Sequence, residues 1–153
     1  MTSLRAALGH PVVATENAEQ LGQTSGVAVD PSRARIVALH VSGSKGSARF
    51  VPWERIASFG ADAVMVQDAD AVRDTEGPFE QRVADGEGDV LGKRTLTDRG
   101  DEIGAIEDVE FDPGDGRLES LQVAGQAIAP ERLLGIGAYA VVVRADDSEP
   151  DVR

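Results

Sequence analysis

Cysteine is absent from the 153 residues. That excludes disulfides, thiolate metal sites and a cysteine nucleophile, and it fits a reducing compartment. Aromatic residues make up only 4% of the chain, so Val, Ile, Leu and Ala must build any core. Many of these are β-branched and suit a pleated sheet better than a helix. No apolar run approaches the roughly 18 residues that cross a bilayer. The opening MTSLRAALGH has too short an apolar stretch for a secretory signal. The expectation is a cytoplasmic protein with no transmembrane segment. Lysine is nearly missing, with Lys45 and Lys93 alone, whereas Arg, Ala, Gly, Val and Asp are plentiful. That usage is typical of a GC-rich bacterial genome.

Positive charge is also scarce. The net charge is −12, and it is unevenly placed. Residues 1–66 carry six basic and five acidic groups, and residues 67–89 carry two and eight. Residues 90–145 carry six and ten, and residues 146–153 carry one and four. A nucleic-acid surface needs cations to meet phosphates, so this balance argues against nucleic acid as a partner. Only the first part of the chain is near neutral.

What is present is a repeat, and repeats decide the fold before any local feature does. LGQTSGVAVDP at 21–31 aligns with IGAIEDVEFDP at 103–113. Gly22 meets Gly104, Val27 meets Val109, Val29 meets Phe111, and Asp30-Pro31 meets Asp112-Pro113. The match runs on without a gap through Ile36 with Leu118, Leu39 with Leu121 and Val41 with Val123. The copies then differ in loop length. Aligning Pro52 with Pro130 makes SGSKGSARFVP correspond to AGQAIAP and pairs Trp53 with Glu131. DAVMV at 62–66 matches YAVVV at 139–143, and upstream Leu8-Gly9 matches Leu91-Gly92.

Each copy reads as short strands. Val27-Ala28-Val29 and Val109-Glu110-Phe111 alternate with the period of two of a half-buried strand. Asp30-Pro31 and the DPGDG of 112–116 are turn chemistry, in which Asp caps the turn, Pro presets φ and Gly permits positive φ. Pro52 and Pro130 cannot donate to a ladder and mark strand ends. Four to six short strands per copy predict a small barrel, which hides sheet edges. The fold class expected is all-β: two small β-barrels in tandem joined by an acidic linker.

These residues resemble the PRC-barrel family. The shared pattern is a Leu-Gly opening, a Gly ahead of a V-x-V-D-P turn, an apolar strand, a strand ending in V-P or A-P, and a terminal D-A-V-x-V strand. The resemblance covers most of 8–66 and 90–144. It implies a six-stranded barrel-like fold, seen in the cytoplasmic part of the H subunit of photosynthetic reaction centres and in a ribosome maturation factor. It also occurs in stand-alone proteins thought to act as adaptors. The organisation expected is a first PRC-barrel-like domain at 1–66 and an acidic linker at 67–89. A second such domain follows at 90–145, with a mobile acidic tail at 146–153. The family supplies no catalytic motif.

Other motifs reduce to turns. GIGAYA at 135–140 matches G-x-G-x-x-A, but that fingerprint needs a helix after it, and here the strand-like AVVV follows. SGSKGS at 42–47 lacks the spacing of a phosphate loop, and DPGDG lacks the ligand spacing of a calcium loop. His10 and His40 are the two histidines. His40 sits between Leu39 and Val41 and is expected to face solvent. No spacing argues for a nucleophilic triad, a metal cluster or a cofactor, so no catalytic, cofactor-binding or metal-ligating residue is expected, and the chain is expected not to be an enzyme.

The function expected is a non-catalytic adaptor or scaffold that mediates protein–protein interaction or self-association, with a homodimer as one form. The alternative is an RNA- or ribosome-associated factor like the barrel part of ribosome maturation proteins. The copies differ most over 42–53, where the first has Lys45, Arg49, Phe50 and Trp53, with Arg55 just beyond. Aromatic and arginine residues dominate interface energetics, so these five form the expected partner-binding set. On that reading Trp53→Ala weakens binding about tenfold, equivalent to about 1.4 kcal/mol, with little loss of thermal stability. Amide exchange is expected to be fastest across 67–89.

Overall fold

The computed structural model describes residues 2–44, 49–85 and 89–145. Lys45 and the acidic tail 146–153 lie outside the described residues. The elements are β1 (Thr2–Ser3), α1 (Leu4–Ala7), β2 (Pro11–Ala14), β3 (Gln20–Asp30), β4 (Arg35–Ser42) and β5 (Phe50–Pro52). A 3-10 turn at Trp53–Arg55 leads to β6 (Ile56–Phe59) and β7 (Val64–Val66). After a 3-10 turn at Ala69–Ala71 comes α2 (Gly77–Ala84). The second half is β8 (Arg94–Thr97), β9 (Glu102–Phe111), β10 (Leu118–Val123) and β11 (Gln126–Ile128). A 3-10 turn at Pro130–Arg132 then precedes β12 (Leu133–Ile136) and β13 (Val141–Val143).

The protein is mostly β, in two sheets of the same design. One runs β5-β4-β3-β2-β7-β6 and the other β11-β10-β9-β8-β13-β12. Each has one parallel pair in the same place: Val12, Val13 and Ala14 face Val64, Met65 and Val66, while Thr95, Leu96 and Thr97 face Val141, Val142 and Val143. The turn chemistry is as read: the Asp30 carboxylate accepts from the Ser32 backbone N–H at 3.0 Å, and Asp112 accepts from that of Gly114 at 2.8 Å. The expectation of closed barrels needs correcting. Each sheet is an open path, and its two end strands are joined by the 3-10 turn between them and not by a hydrogen-bonded ladder. No helix among the described residues is long and apolar enough to cross a membrane.

The strand register also corrects the repeat alignment. Leu39 faces Val51 and Leu121 faces Ile128, so Val51 corresponds to Ile128. The turn Trp53–Arg55 then corresponds to Pro130–Arg132, WERI beside PERL. Trp53 therefore stands where Pro130 stands, not Glu131, and both are buried. Pro52 and Pro130 are not equivalent.

The segment 67–89, expected to be an acidic linker, includes the helix α2, which lies against the first sheet. Val83 is buried, and Phe79 packs with it on Ala28, Ala38 and Phe50. This explains a sequence difference between the copies. Ala28, Val37, Ala38 and Phe50 lie under α2, and their counterparts are Glu110, Glu119, Ser120 and Ala127. The first sheet is apolar on both faces because a helix covers the outer one. The helix is tied down by Arg73, whose guanidinium grips the buried Glu80 carboxylate through two bonds of 2.7 and 2.8 Å. The Arg73 backbone exchanges N–H and C=O bonds with Phe50 and so covers the outer edge of β5. The Glu80 hydrogen bond also raises the Arg73 pKa above its ordinary value.

The halves meet across a pseudo-twofold axis. Arg35 bridges Arg117, its own counterpart. The Ile36 N–H donates to the Gly116 carbonyl at 2.8 Å, and the Leu118 N–H donates to the Ala34 carbonyl at 2.9 Å, the same bond with the halves interchanged. Such reciprocity is the mark of an isologous contact. The N-terminal segment crosses over as well: Thr2 and Ser3 pair with Phe111 and Glu110 on β9. Ser3 donates to the Asp108 carboxylate, which also accepts the Arg5 N–H at 3.0 Å. Burial pushes the Asp108 pKa up. That effect is outweighed by the Ser3 hydroxyl, the Arg5 and Val109 N–H groups and the Arg5 charge, so the net shift is downward. The apolar interior that results is continuous, running from Val12, Ile36 and Leu39 to Ile106, Leu121 and Val141.

Trp53 lies in this junction. It stacks on Phe59 and meets Phe111 of the other half edge-on, with centroids 5.9 and 5.8 Å away. Gly116 sits under its ring. A Cβ there would lie 2.7 Å from the Ile36 carbonyl oxygen and 3.1 Å from the indole, at φ +80°. Trp53→Ala is therefore expected to destabilise by about 3–5 kcal/mol. Gly116→Val adds strain of about 1–2 kcal/mol to an overpacking cost of about 1–3 kcal/mol. Denaturant unfolding followed by circular dichroism checks both. The shared core predicts one cooperative transition; two separate transitions, with Trp53→Ala moving only the first, would contradict it.

Candidate interaction surface

The five residues expected to bind a partner do not form one exposed patch. Phe50 is 0% exposed and Trp53 is 5% exposed, so neither offers area to another molecule, and their expected role is corrected here. Phe50 is covered by α2, and Trp53 by the second half. Lys45 lies outside the described residues. Arg49 is part-buried, and its backbone N–H donates to the Arg73 carbonyl at 2.8 Å. Arg55 remains at the surface, 3.6 Å from Asp68. Phe50 and Trp53, which distinguish the 49–53 region from its counterpart, are taken up by internal packing.

His40 is not the solvent-facing residue that alternation implies. Its ring lies 4.9 Å from that of Phe50, and its Nδ1 is 2.9 Å from the Ser25 hydroxyl. Asp89 faces Gly26 and, with Ser25, lines a cleft of about 120 Å³ between the halves. A second opening of about 230 Å³ is lined by Gln20, Leu21, Ser44 and Val72, among others. Both are smaller than the roughly 300–1,000 Å³ of a small-molecule site, so neither reads as a ligand pocket. Burial lowers the His40 pKa, Asp89 opposes that, and Arg49 adds to it.

The large exposed apolar side chains are elsewhere. Among the described residues these are Tyr139, 70% exposed, and Leu134, 49% exposed. Both belong to the hairpin of β12 and β13 in the second half. β12 is the terminal strand of its sheet, with its register to β13 shifted between Leu133 and Gly135. A bend at 138–139 follows β12 and the strand β13 comes next, so the GIGAYA segment is a hairpin turn. Their counterparts in the first half are Asp62 and Ala57.

Tyr139 is held in place by Arg94, whose guanidinium carbon lies 4.7 Å from the ring centroid and which also donates to the phenol oxygen. Arg94 in turn pairs with Glu102 at 3.1 Å. Two more cations brace the same hairpin: Arg82 of α2 donates to the Ile136 carbonyl at 2.9 Å, and Lys93 donates to that of Gly137 at 2.8 Å. At its base Arg132 Nε donates to the Arg144 carbonyl at 2.8 Å, and Arg144 donates to that of Glu131 at 3.3 Å. An aromatic fixed by a cation–π contact loses less freedom on binding than a mobile one. The sequence carried a signal for this site, the change from D-A-V-M-V to Y-A-V-V-V, but buried strand residues dominated that comparison.

With this geometry in view, a protein-family model, that of the PRC-barrel domain, matches residues 83–149. It spans β8 to β13 and the hairpin just described. No match is found among curated proteins.

The His40 geometry has a measurable consequence. The unfolded chain takes up a proton near the ordinary value of 6.5, while the folded chain resists it. Stability is full above that pH and falls as pH drops below it, until the folded form also binds the proton. His40→Gln should flatten this acid-side loss in melts taken across pH 5–7. An unchanged slope would show that His40 does not titrate this way.

Proposed function

Taking residues 83–149 as a PRC-barrel domain, we propose that the chain is a non-catalytic adaptor. It is built of two PRC-barrel-like modules fused back to back, and it docks a protein partner on the β12–β13 hairpin of the second. The observation that carries this reading is the pair Tyr139 and Leu134, exposed on one hairpin where the first module has Asp62 and Ala57. Scattered exposed apolar residues need no explanation. An exposed tyrosine held by an arginine is different, because those two residue types are enriched at interface hot spots. The repeated strand order and register of the two sheets support the two-module reading. In this division of labour the first module, with α2 on its outer face, is the scaffold against which the second is held.

The test is site-specific photo-crosslinking in the native cell, with a benzoyl-phenylalanine at position 134 or, as control, at position 57. The expected result is a protein adduct at 134 that is absent at 57 and lost on Tyr139→Ala. Stability should stay within about 0.5 kcal/mol, as for other surface substitutions. No adduct at 134, or equal adducts at both positions, would refute docking through this hairpin.

A further inference from the structure

We infer that the outer edge of β11 accepts one extended strand of another protein, joined antiparallel through its backbone, as a docking surface separate from the β12–β13 hairpin. The precedent lies in the first half of the same chain. There β5 is the terminal strand of its sheet, and Arg73 pairs with Phe50 on the free side. The Phe50 N–H donates to the Arg73 carbonyl at 3.0 Å, and the Arg73 N–H donates back to the Phe50 carbonyl at 2.8 Å. The Arg49 N–H donates to the same Arg73 carbonyl at 2.8 Å. Both backbone groups of Phe50 therefore point away from β4. The matching terminal strand of the other sheet is β11. Ala127 faces Gln122 as Phe50 faces His40, so its N–H and C=O point away from β10 in the same manner. Among the described residues no backbone group meets them from that side, and Gln126 and Ala127 are exposed.

Sheet edges are commonly protected by charge, by proline or by a covering segment. Gln126, Ala127 and Ile128 of β11 supply neither charge nor proline. The strand is three residues long, but so is β5, which is paired all the same. The chain's own continuation cannot repeat the precedent. Arg73 stands seven residues after Val66, and the residue seven after the equivalent Val143 is Pro150, which has no N–H to give to the Ala127 carbonyl. A second copy is disfavoured as well. Each carries a net charge of −12, and a contact of three residues does little to offset that repulsion. What fits is a segment of a different protein in extended conformation, with a residue other than proline opposite Ala127. Directly paired residues share a face of the sheet. The side chain of that residue thus lies on the face where the Gln122 amide donates to the Glu110 carboxylate at 3.0 Å and to the Ser120 hydroxyl at 2.6 Å, so a polar side chain suits it. In strand addition of this kind the backbone bonds supply affinity and the side chains supply selectivity.

The test titrates the full isotope-labelled chain with the peptide Thr-Ala-Val-Arg-Val-Thr and follows backbone amides by NMR. A second form of the peptide is N-methylated at its four central residues, which removes the central N–H donors on both of its edges. The unmodified peptide is expected to shift the amides of Gln126 and Ala127 and to slow exchange at Ala127. Methylation should raise Kd about tenfold or more. Ala127→Pro should do the same, because proline is tolerated on an edge strand where the lost N–H faces outward. Tyr139→Ala should leave Kd unchanged, which separates this edge from the hairpin. No change at Gln126 and Ala127 at millimolar peptide, or equal binding of the methylated form, would overturn the inference. So would an Ala127 amide already protected in the free chain and released by deleting 146–153, which would give the edge to the chain's own tail. A dimer in sedimentation that Ala127→Pro dissolves would also overturn it, in favour of a second copy. Should Ala127→Pro unfold the chain, the methylated peptide decides.

Discussion

The junction between the halves is the contact on which the rest of the structure depends. Two reciprocal backbone bonds, Ile36 to Gly116 and Leu118 to Ala34, fix the halves about a pseudo-twofold axis. The apolar faces they bring together form one interior. A module of roughly 60 residues buries only about 60% of its unfolded surface and is marginal alone. Joining two such sheets across a symmetric contact removes two exposed faces at once. Trp53 sits at that contact with Phe59 and Phe111 around it. In a chain with 4% aromatics, grouping three of them there indicates where close packing matters most.

Symmetry in the backbone coexists with asymmetry in what covers each sheet. The N-terminal segment pairs with β9 of the second half, while α2 lies on β3 and β4 of the first. Sequence differences between the copies follow this division. Where α2 lies, the first sheet has Ala28, Ala38 and Phe50; where solvent lies, the second has Glu110, Ser120 and Ala127. The Glu80–Arg73 pair is part of the same arrangement. A buried carboxylate costs free energy unless it is matched by hydrogen bonds, and here two guanidinium bonds and the Glu76 N–H supply them.

The candidate interaction surface then lies on the half left uncovered by α2's main face. Its hairpin is braced by cations from several elements, so Tyr139 is presented on a rigid support. A PRC-barrel domain does not by itself specify a partner, and the side chains of this hairpin differ between two sheets of the same strand order.

The sequence by itself determined the β class, the repeated strand pattern and the Asp-Pro turns, because period-two alternation and turn chemistry act over a few residues. Gly22 and Gly104 were legible as equivalents for the same reason. The gapped half of the alignment was not. Matching Pro52 with Pro130 is reasonable residue by residue, and only the strand register puts Trp53 opposite Pro130. Tertiary structure alone decided that Trp53 and Phe50 are internal, since an apolar side chain has the same sequence signature whether it faces a partner or another part of its own chain. It also decided that 67–89 holds a packed helix: Phe79 and Val83 are too few to mark an amphipathic face until a sheet is laid against them. Tyr139 stood in plain view as a substitution for Asp62. Its exposure, and the Arg94 contact that holds it, depend on residues distant in the chain and became visible only when the fold brought them together.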